Sequence, residues 1–199
     1  MTPLSVDDLD ALYGAPSERS LTKVQDHLTP SYRAWIAKSR FVVVSTVGPE
    51  GTDGSPRGDA GPVVRIADDR TVLLPDWKGN NRLDSLRNIA RDGRVSLMFM
   101  VPGSTSVVRV NGTGIVTTDA DTVQGFSQSG KHPLSVVVVS VHEVYFQCAK
   151  AIMRADLWTG EDRSNGLPTA GELLREADGE TDARAYDADY PDYARTRMW

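Results

Sequence analysis

Cysteine is nearly absent from this chain: Cys148 is the single one in 199 residues. That excludes an intramolecular disulfide and any cysteine-only metal site, and its apolar neighbours point to a buried, inert thiol. Histidine is scarce too. His27, His132 and His142 lie far apart with no HxH or HExxH spacing, so no metal centre is expected. No apolar run approaches a membrane span, and the first residues lack a basic-then-apolar signal pattern, so the chain reads as cytoplasmic with no membrane partner. A positive charge excess is also missing. The net charge is −5 and the sequence pI about 5.2, which argues against nucleic acid as a partner. Ten acidic and five basic residues fall between 161 and 199, so that segment carries the whole imbalance. Internal repeats and low-complexity tracts are lacking as well.

What is present is ordinary globular composition, 40% hydrophobic and 25% charged, enough for one domain with added segments. The first 39 residues read as helical. A serine-capped helix begins at Ser5 and closes at Gly14, a weaker one spans 17–28, and a third spans 31–39 with Tyr32, Trp35 and Ile36 on one side. Strands follow at 41–46, 55–67, 71–74, 95–101, 107–116 and 134–146, with a long turn at 48–54. One helix sits between the third and fourth strands, and a short one is expected at 119–126. Short turns between strands imply antiparallel pairing, and closure would remove exposed edges. A doubly wound parallel sheet would need a helix after nearly every strand. The expected fold is therefore mainly β with peripheral helices: a six-stranded antiparallel barrel over 40–158. A helical segment (1–39) packs on it, and an acidic extension (159–199) follows. Within that extension 170–176 suits a helix, and Tyr186, Tyr190, Tyr193 and Trp199 suit docking on a partner surface.

The chain is organised around the turn from Pro75 to Leu86. Lys78, Gly79, Asn80, Asn81 and Arg82 gather two cations, two amides and free main-chain N–H groups where a strand hands over to a helix. Asn80 or Asn81 is a good N-cap, and with Asn81 as cap Asp84 falls at the third helical position. Leu83, Leu86, Ile89 and Ala90 would form the apolar stripe, and Gly93 the stop. Such a helix start is a recipe for an anion site, most often phosphate; it equally describes a plain capped turn. Three further stretches bear on that choice. Ser55-Pro56-Arg57-Gly58-Asp59 offers a planar guanidinium beside a glycine; alone it reads as a solvated Arg–Asp pair. If the strands bring this stretch beside Pro75 to Arg82, then Arg57, Lys78 and Arg82 converge on one dianion. Arg109 and Asn111 share the strand face opposite Val108 and Val110, with Gly112 thinning the backbone cover next to Asn111. Lys150 and Arg154 stand four apart, two cations on one helical face.

Taken in order, FVVVST, DGSPRGD, PDWKGNNRLDSLRNI, RVSLMFMVPG, RVNG and CAKAIMRADLW resemble the flavin-nucleotide-binding proteins related to pyridoxamine 5′-phosphate oxidase, over about residues 36–158. GNNRxDSLxNI is the specific portion. The resemblance implies a split β-barrel that binds FMN at the interface of a homodimer. It implies that Arg57 and the turn from Lys78 to Arg82 hold the FMN phosphate and ribityl chain. It implies, too, that the backbone around Gly58, Asp59, Pro75 and Asp76 lines the flavin. Asn111 and Lys150 would approach it from the second subunit, and Arg154 matches the region where the oxidase grips its substrate. The chain departs from the oxidase at 146–150, where that enzyme has a tryptophan and a glycine-rich run, and Trp77 stands where relatives often carry smaller or basic residues.

Two function classes follow. One is an FMN-dependent oxidoreductase of unknown substrate, with Lys150 and Arg154 as candidate catalytic residues. The other is a flavin carrier, store or sensor without turnover, favoured by the lack of a substrate motif. A barrel holding haem or a deazaflavin is the remoter alternative, haem needing His132 or His142 as axial ligand.

Overall fold

Valine-rich runs set the sheet, because β-branched side chains are stiff and pack well on a pleated surface. The computed structural model describes residues 1–148 and 150–199 of the chain. Its strands are β1 (Phe41–Gly48), β2 (Gly51–Gly58), β3 (Arg65–Ile66), β4 (Thr71–Asp76), β5 (Arg94–Met100), β6 (Ser106–Thr117) and β7 (Ser135–Cys148). All seven join one antiparallel sheet in the order β2-β1-β5-β6-β7-β4-β3.

Two expectations about this sheet change. The stretch 55–67 is not one strand: it breaks into β2 and β3 around Pro62, which cannot donate to a ladder. The count is therefore seven rather than six. Nor does the sheet close. β2 and β3 end the order, and among the described residues no ladder joins them, so the barrel is split. The supposed long turn at 48–54 is a tight hairpin in which Gly48 already pairs with Gly51. β2 has no buried residue, so hydrophobic alternation could not reveal it.

The core lies inside the curl. Val42 and Val44 of β1, Leu97 and Phe99 of β5, Val108 and Val110 of β6, and Val139 and Val144 of β7 are almost fully buried. Each such side chain contributes roughly 1.5–3 kcal/mol. β6 and β7 slip register between Asn111 and Gly112. A Cβ on Gly112 would sit 1.9 Å from the Ser140 carbonyl oxygen, so glycine is demanded there by the neighbouring strand.

The helices are α1 (Val6–Tyr13), α2 (Glu18–Thr22), α3 (Pro30–Ile36), α4 (Asp84–Arg91), α5 (Ala120–Gln124), α6 (Lys150–Arg154), α7 (Ala170–Asp178) and α8 (Ala183–Arg195). α1 carries a Ser5–Asp8 capping box yet buries nothing. α3 starts on a proline, which suits the first helical position, and it lays Ile36 on the core with Tyr32 and Trp35 alongside. α6 covers the opposite face of the sheet, where Ile152 and Trp158 meet Met98, Met100 and Val107. α7 was foreseen and α8 was not. Asp residues and Pro191 obscure its period, and a ladder of Tyr186, Tyr190 and Tyr193 rings runs along it, stacked on one another at 5.6 and 6.4 Å. Cys148 is exposed at the end of β7, not buried: β7 projects past the core there, and its last three residues are all exposed. Among the described residues no helix is long and apolar enough to cross a membrane, and no cluster of His, Cys, Asp or Glu could hold a metal.

Candidate functional site

The split is where polar residues from β2, β4 and α4 face each other. β4 buries Val72 through Pro75, then runs out of core at Asp76. The chain turns there, and Asn81 and Leu83 adopt left-handed φ values of 60° and 62°. Asparagine tolerates that conformation; for leucine it is a strained one.

This pair corrects the expected capping. α4 begins at Asp84, so Asp84 opens the helix instead of standing at its third position. Neither asparagine caps it. Asn80 Oδ1 accepts from Arg82 N at 3.1 Å, which spends that side chain within the turn. Leu83 occupies the cap position with no side-chain bond to the helix. The first-turn N–H groups of α4 are thereby left without a side-chain acceptor. The buried face of the helix is Ser85, Asn88 and Ile89; Leu83 and Ala90, expected in the stripe, are exposed. Asp53 and Asn88 account for the difference. Ser85 Oγ donates to Asp53 of β2, and Asn88 Nδ2 donates to Thr46 Oγ1 at 3.2 Å, so two polar anchors fix the rotation of the helix.

A cleft of about 580 Å³ opens between these elements, within the roughly 300–1,000 Å³ usual for a small-ligand site. Arg57, Gly58, Pro75, Asp76, Lys78, Gly79, Asn80, Asn81 and Arg82 all line it, as do Trp77 and Met198. So the two cationic stretches do come together, across the split rather than through neighbouring strands. Arg57 Nη2 stands 3.8 Å from Asp76 Oδ1, and Arg57 Nη1 donates to Ser55 Oγ and Pro56 O. Burial pushes the Asp76 carboxyl above its ordinary value, and the Arg57 charge draws it partly back. Arg82 pairs with Asp84, which holds its guanidinium still more firmly protonated, yet its side chain is 81% exposed. No ion pair involves Lys78 among the described residues. Nothing lies within 4 Å of where a Cβ on Gly79 would be, so the turn presents open backbone.

Four expected site residues lie elsewhere. Asp59 is not among the residues that line the cleft. It does not pair with Arg57; it accepts from Trp77 Nε1 at 2.9 Å and from Gln128 Nε2 at 2.5 Å. Asn111 lies in a separate groove of about 710 Å³ on the other face of the sheet, beside Ser45, Ser96, His142 and Glu143. Its glycine neighbour serves the β6–β7 bulge rather than access by a ligand. Lys150 and Arg154 share α6 as their spacing implied, both exposed, and neither lines the cleft or the groove. His132 Nδ1 bonds the Phe126 carbonyl at 2.6 Å, well placed for structure and not for a metal.

Sequence reasoning missed Trp77 as a fixed element and Met198 altogether. The bond from Trp77 to Asp59 had no local signal, and Met198 lies far along the chain from the turn at Lys78 to Arg82.

The sequence model of the pyridoxamine 5′-phosphate oxidase family matches residues 28–148, well over half of the chain. The chain belongs to that family. Membership supports binding of a flavin or related cofactor, and the cleft between β2, β4 and α4 is where Arg57, Lys78 and Arg82 meet. Among solved structures, HupZ of Group A Streptococcus is similar in fold. Its substituted variant is 18% identical with a TM-score of 0.50, over 60% of this chain and 99% of that one. The unsubstituted protein gives 19% and 0.49, over 61% and 94%. An FAD-binding protein of Mycobacterium smegmatis is 14% identical with a TM-score of 0.42, over 62% and 97%. At these identities the likeness speaks of fold alone. No curated protein sequence matches the chain significantly.

Proposed function

We propose that this chain is an FMN-binding oxidoreductase of the pyridoxamine 5′-phosphate oxidase-like class, cytoplasmic and active as a homodimer. The observation that carries the reading is the meeting of Arg57, Lys78 and Arg82 with an uncapped helix start in one cleft. Three cations and open N–H groups suit a multiply charged anion, which competes there with Asp53, Asp76 and Asp84 of the same lining, and the phosphate of FMN is such a group. The donor set fits it: Arg57 and Arg82 offer planar forks, Lys78 a point charge, and Gly79 close backbone approach. When bound, the flavin supplies the redox chemistry by accepting a hydride. The protein's part is to hold the phosphate, orient the ring and keep water from it.

The homodimer rests on where the remaining residues fall. Asn111 and Lys150, both assigned to the flavin by resemblance, sit on the sheet face away from the core, beside the groove and on α6. One chain does not bring them to its own cleft. A second copy laying this face against the split would.

Absorption of the purified protein tests the ligand class. Flavin bands before or after incubation with FMN are expected, with FMN rather than FAD released on denaturation. Colourless protein that gains no flavin absorbance overturns the reading, and haem bands would replace it.

A flavin carrier, store or sensor is the second reading. It is favoured because no histidine lines the cleft among the described residues and both catalytic candidates on α6 lie outside it. Anaerobic mixing with NADH, NADPH and a panel of donors separates the two: a flavin that none of them reduces favours the carrier.

A further inference from the structure

Four chain segments meet at the mouth of the cleft in one closed ring of contacts. Asp59, just past β2, accepts from Trp77, just past β4, and from Gln128. Gln128 and Lys131 bracket a two-residue turn with main-chain bonds of 3.0 and 2.9 Å; Ser129 and Gly130 there have φ of 50° and 75°. Positive φ at both central residues makes it a rigid hairpin-type turn. Lys131 Nζ donates to the Trp199 main-chain oxygen at 2.9 Å. Trp199 closes the ring by meeting Trp77 edge-on, centroids 5.4 Å apart and planes at 79°. Its neighbour Met198 lines the cleft itself.

The arrangement is not a packing accident of an apolar tail. Residues 161–170 are exposed throughout, and α7 and α8 bury chiefly against each other, with Gly171 set so close to Ala183 that a Cβ would lie 2.4 Å from its oxygen. The hairpin returns to the barrel at 198–199, and it does so at the cleft mouth. The Trp77 indole N–H is held by Asp59, which fixes the ring that Trp199 meets.

We infer that Met198 and Trp199 form a strap across the mouth of the cleft that retains the bound flavin nucleotide, with the fixed Trp77 ring as its seat and Lys131 as its anchor. The inference rests on the flavin reading. A strap held by one edge-to-face pair and one charge-assisted bond opens readily, so it acts on escape more than on entry. Removing it raises the off-rate and leaves the phosphate contacts in place.

The test is FMN release from the full chain, followed by recovery of flavin fluorescence after a chase. Trp199→Ala and Lys131→Met are each expected to release FMN about tenfold faster, since affinity changes at one interface fall mostly on the off-rate. Trp199→Phe restores slow release, and thermal midpoints stay at the wild-type value because neither side chain lies in the core. Release at the wild-type rate in both variants overturns the strap and leaves the flavin reading standing. Wild-type protein that binds no FMN overturns both.

Discussion

The cleft and the groove are both polar, but they are polar in different ways. In the groove Ser45, Ser96, Asn111 and Glu143 stand in one register row across β1, β5, β6 and β7. They satisfy one another: Ser96 Oγ donates to Asn111 Oδ1 at 2.8 Å, and Asn111 Nδ2 donates to Glu143 Oε2 at 3.1 Å. In the cleft Arg57 of β2 faces Lys78 and Arg82 of the turn before α4, and the start of α4 has no side-chain acceptor. A satisfied row gains little from a small anion and suits a flat polar contact with another surface. Open N–H groups and a lysine with no ion pair among the described residues leave room for a ligand to bind in place of water. On the proposed reading the two faces take different roles, one for holding the nucleotide and one for the second copy.

The comparison breaks first if the groove is plastic. Gly112→Ala drives a Cβ into the Ser140 carbonyl, and a loss of about 2–3 kcal/mol in unfolding free energy is expected. Urea midpoints measure it. A tolerated alanine would mean that the bulge does not need glycine. On the cleft side, Lys78→Ala and Arg82→Ala should each weaken FMN by about 1–3 kcal/mol, the scale of a charge-assisted hydrogen bond. Both positions are exposed, so stability hardly changes. Titration of flavin fluorescence reads the affinity, and wild-type values in both variants would remove the phosphate site. Asn111→Ala falls between the two regions. If its contact with the flavin is made across a dimer, affinity drops by about 1 kcal/mol and only at chain concentrations where wild-type protein is dimeric. A loss that is independent of concentration would place Asn111 in the same chain's site.

How far the sequence carried can be judged from particular residues. β4 was readable because Val72 to Pro75 are continuously buried. β2 was not, because Asp53, Ser55 and Arg57 fill its half-buried positions and no apolar period remains. The cation cluster was readable because the turn is local and its residue types are particular. Its neighbour across the split was legible only as a conditional convergence, since closure of a sheet is set by long-range curl and not by any one strand. Capping failed for a local reason: left-handed Asn81 and Leu83 delay the helix by two residues, which propensity does not foresee. The strap was invisible, since it joins Trp199 to Trp77 and Asp59 through contacts that no spacing encodes.

The smallest effect concerns Asp76, one of three carboxylates that line the cleft with the cations and the one beside Arg57. Burial raises the Asp76 pKa above its ordinary 3.8, with Arg57 opposing. The native state therefore binds more protons than the unfolded chain between 3.8 and the raised value. Stability must fall as pH rises through that window and level off above it. Asp26 has the opposite sign. Hydrogen bonds from His27 and Arg70 lower it to about 2, so its contribution is present above 3.8 and lost as pH falls toward 2. The two windows lie on either side of 3.8 and can be read separately in urea midpoints taken against pH. Asp76→Asn should abolish the upper slope and leave the lower one. It should also strengthen FMN binding at neutral pH, because the ionised carboxylate beside Arg57 repels the phosphate that Arg57 attracts. If the upper slope survives the substitution, Asp76 is not its source.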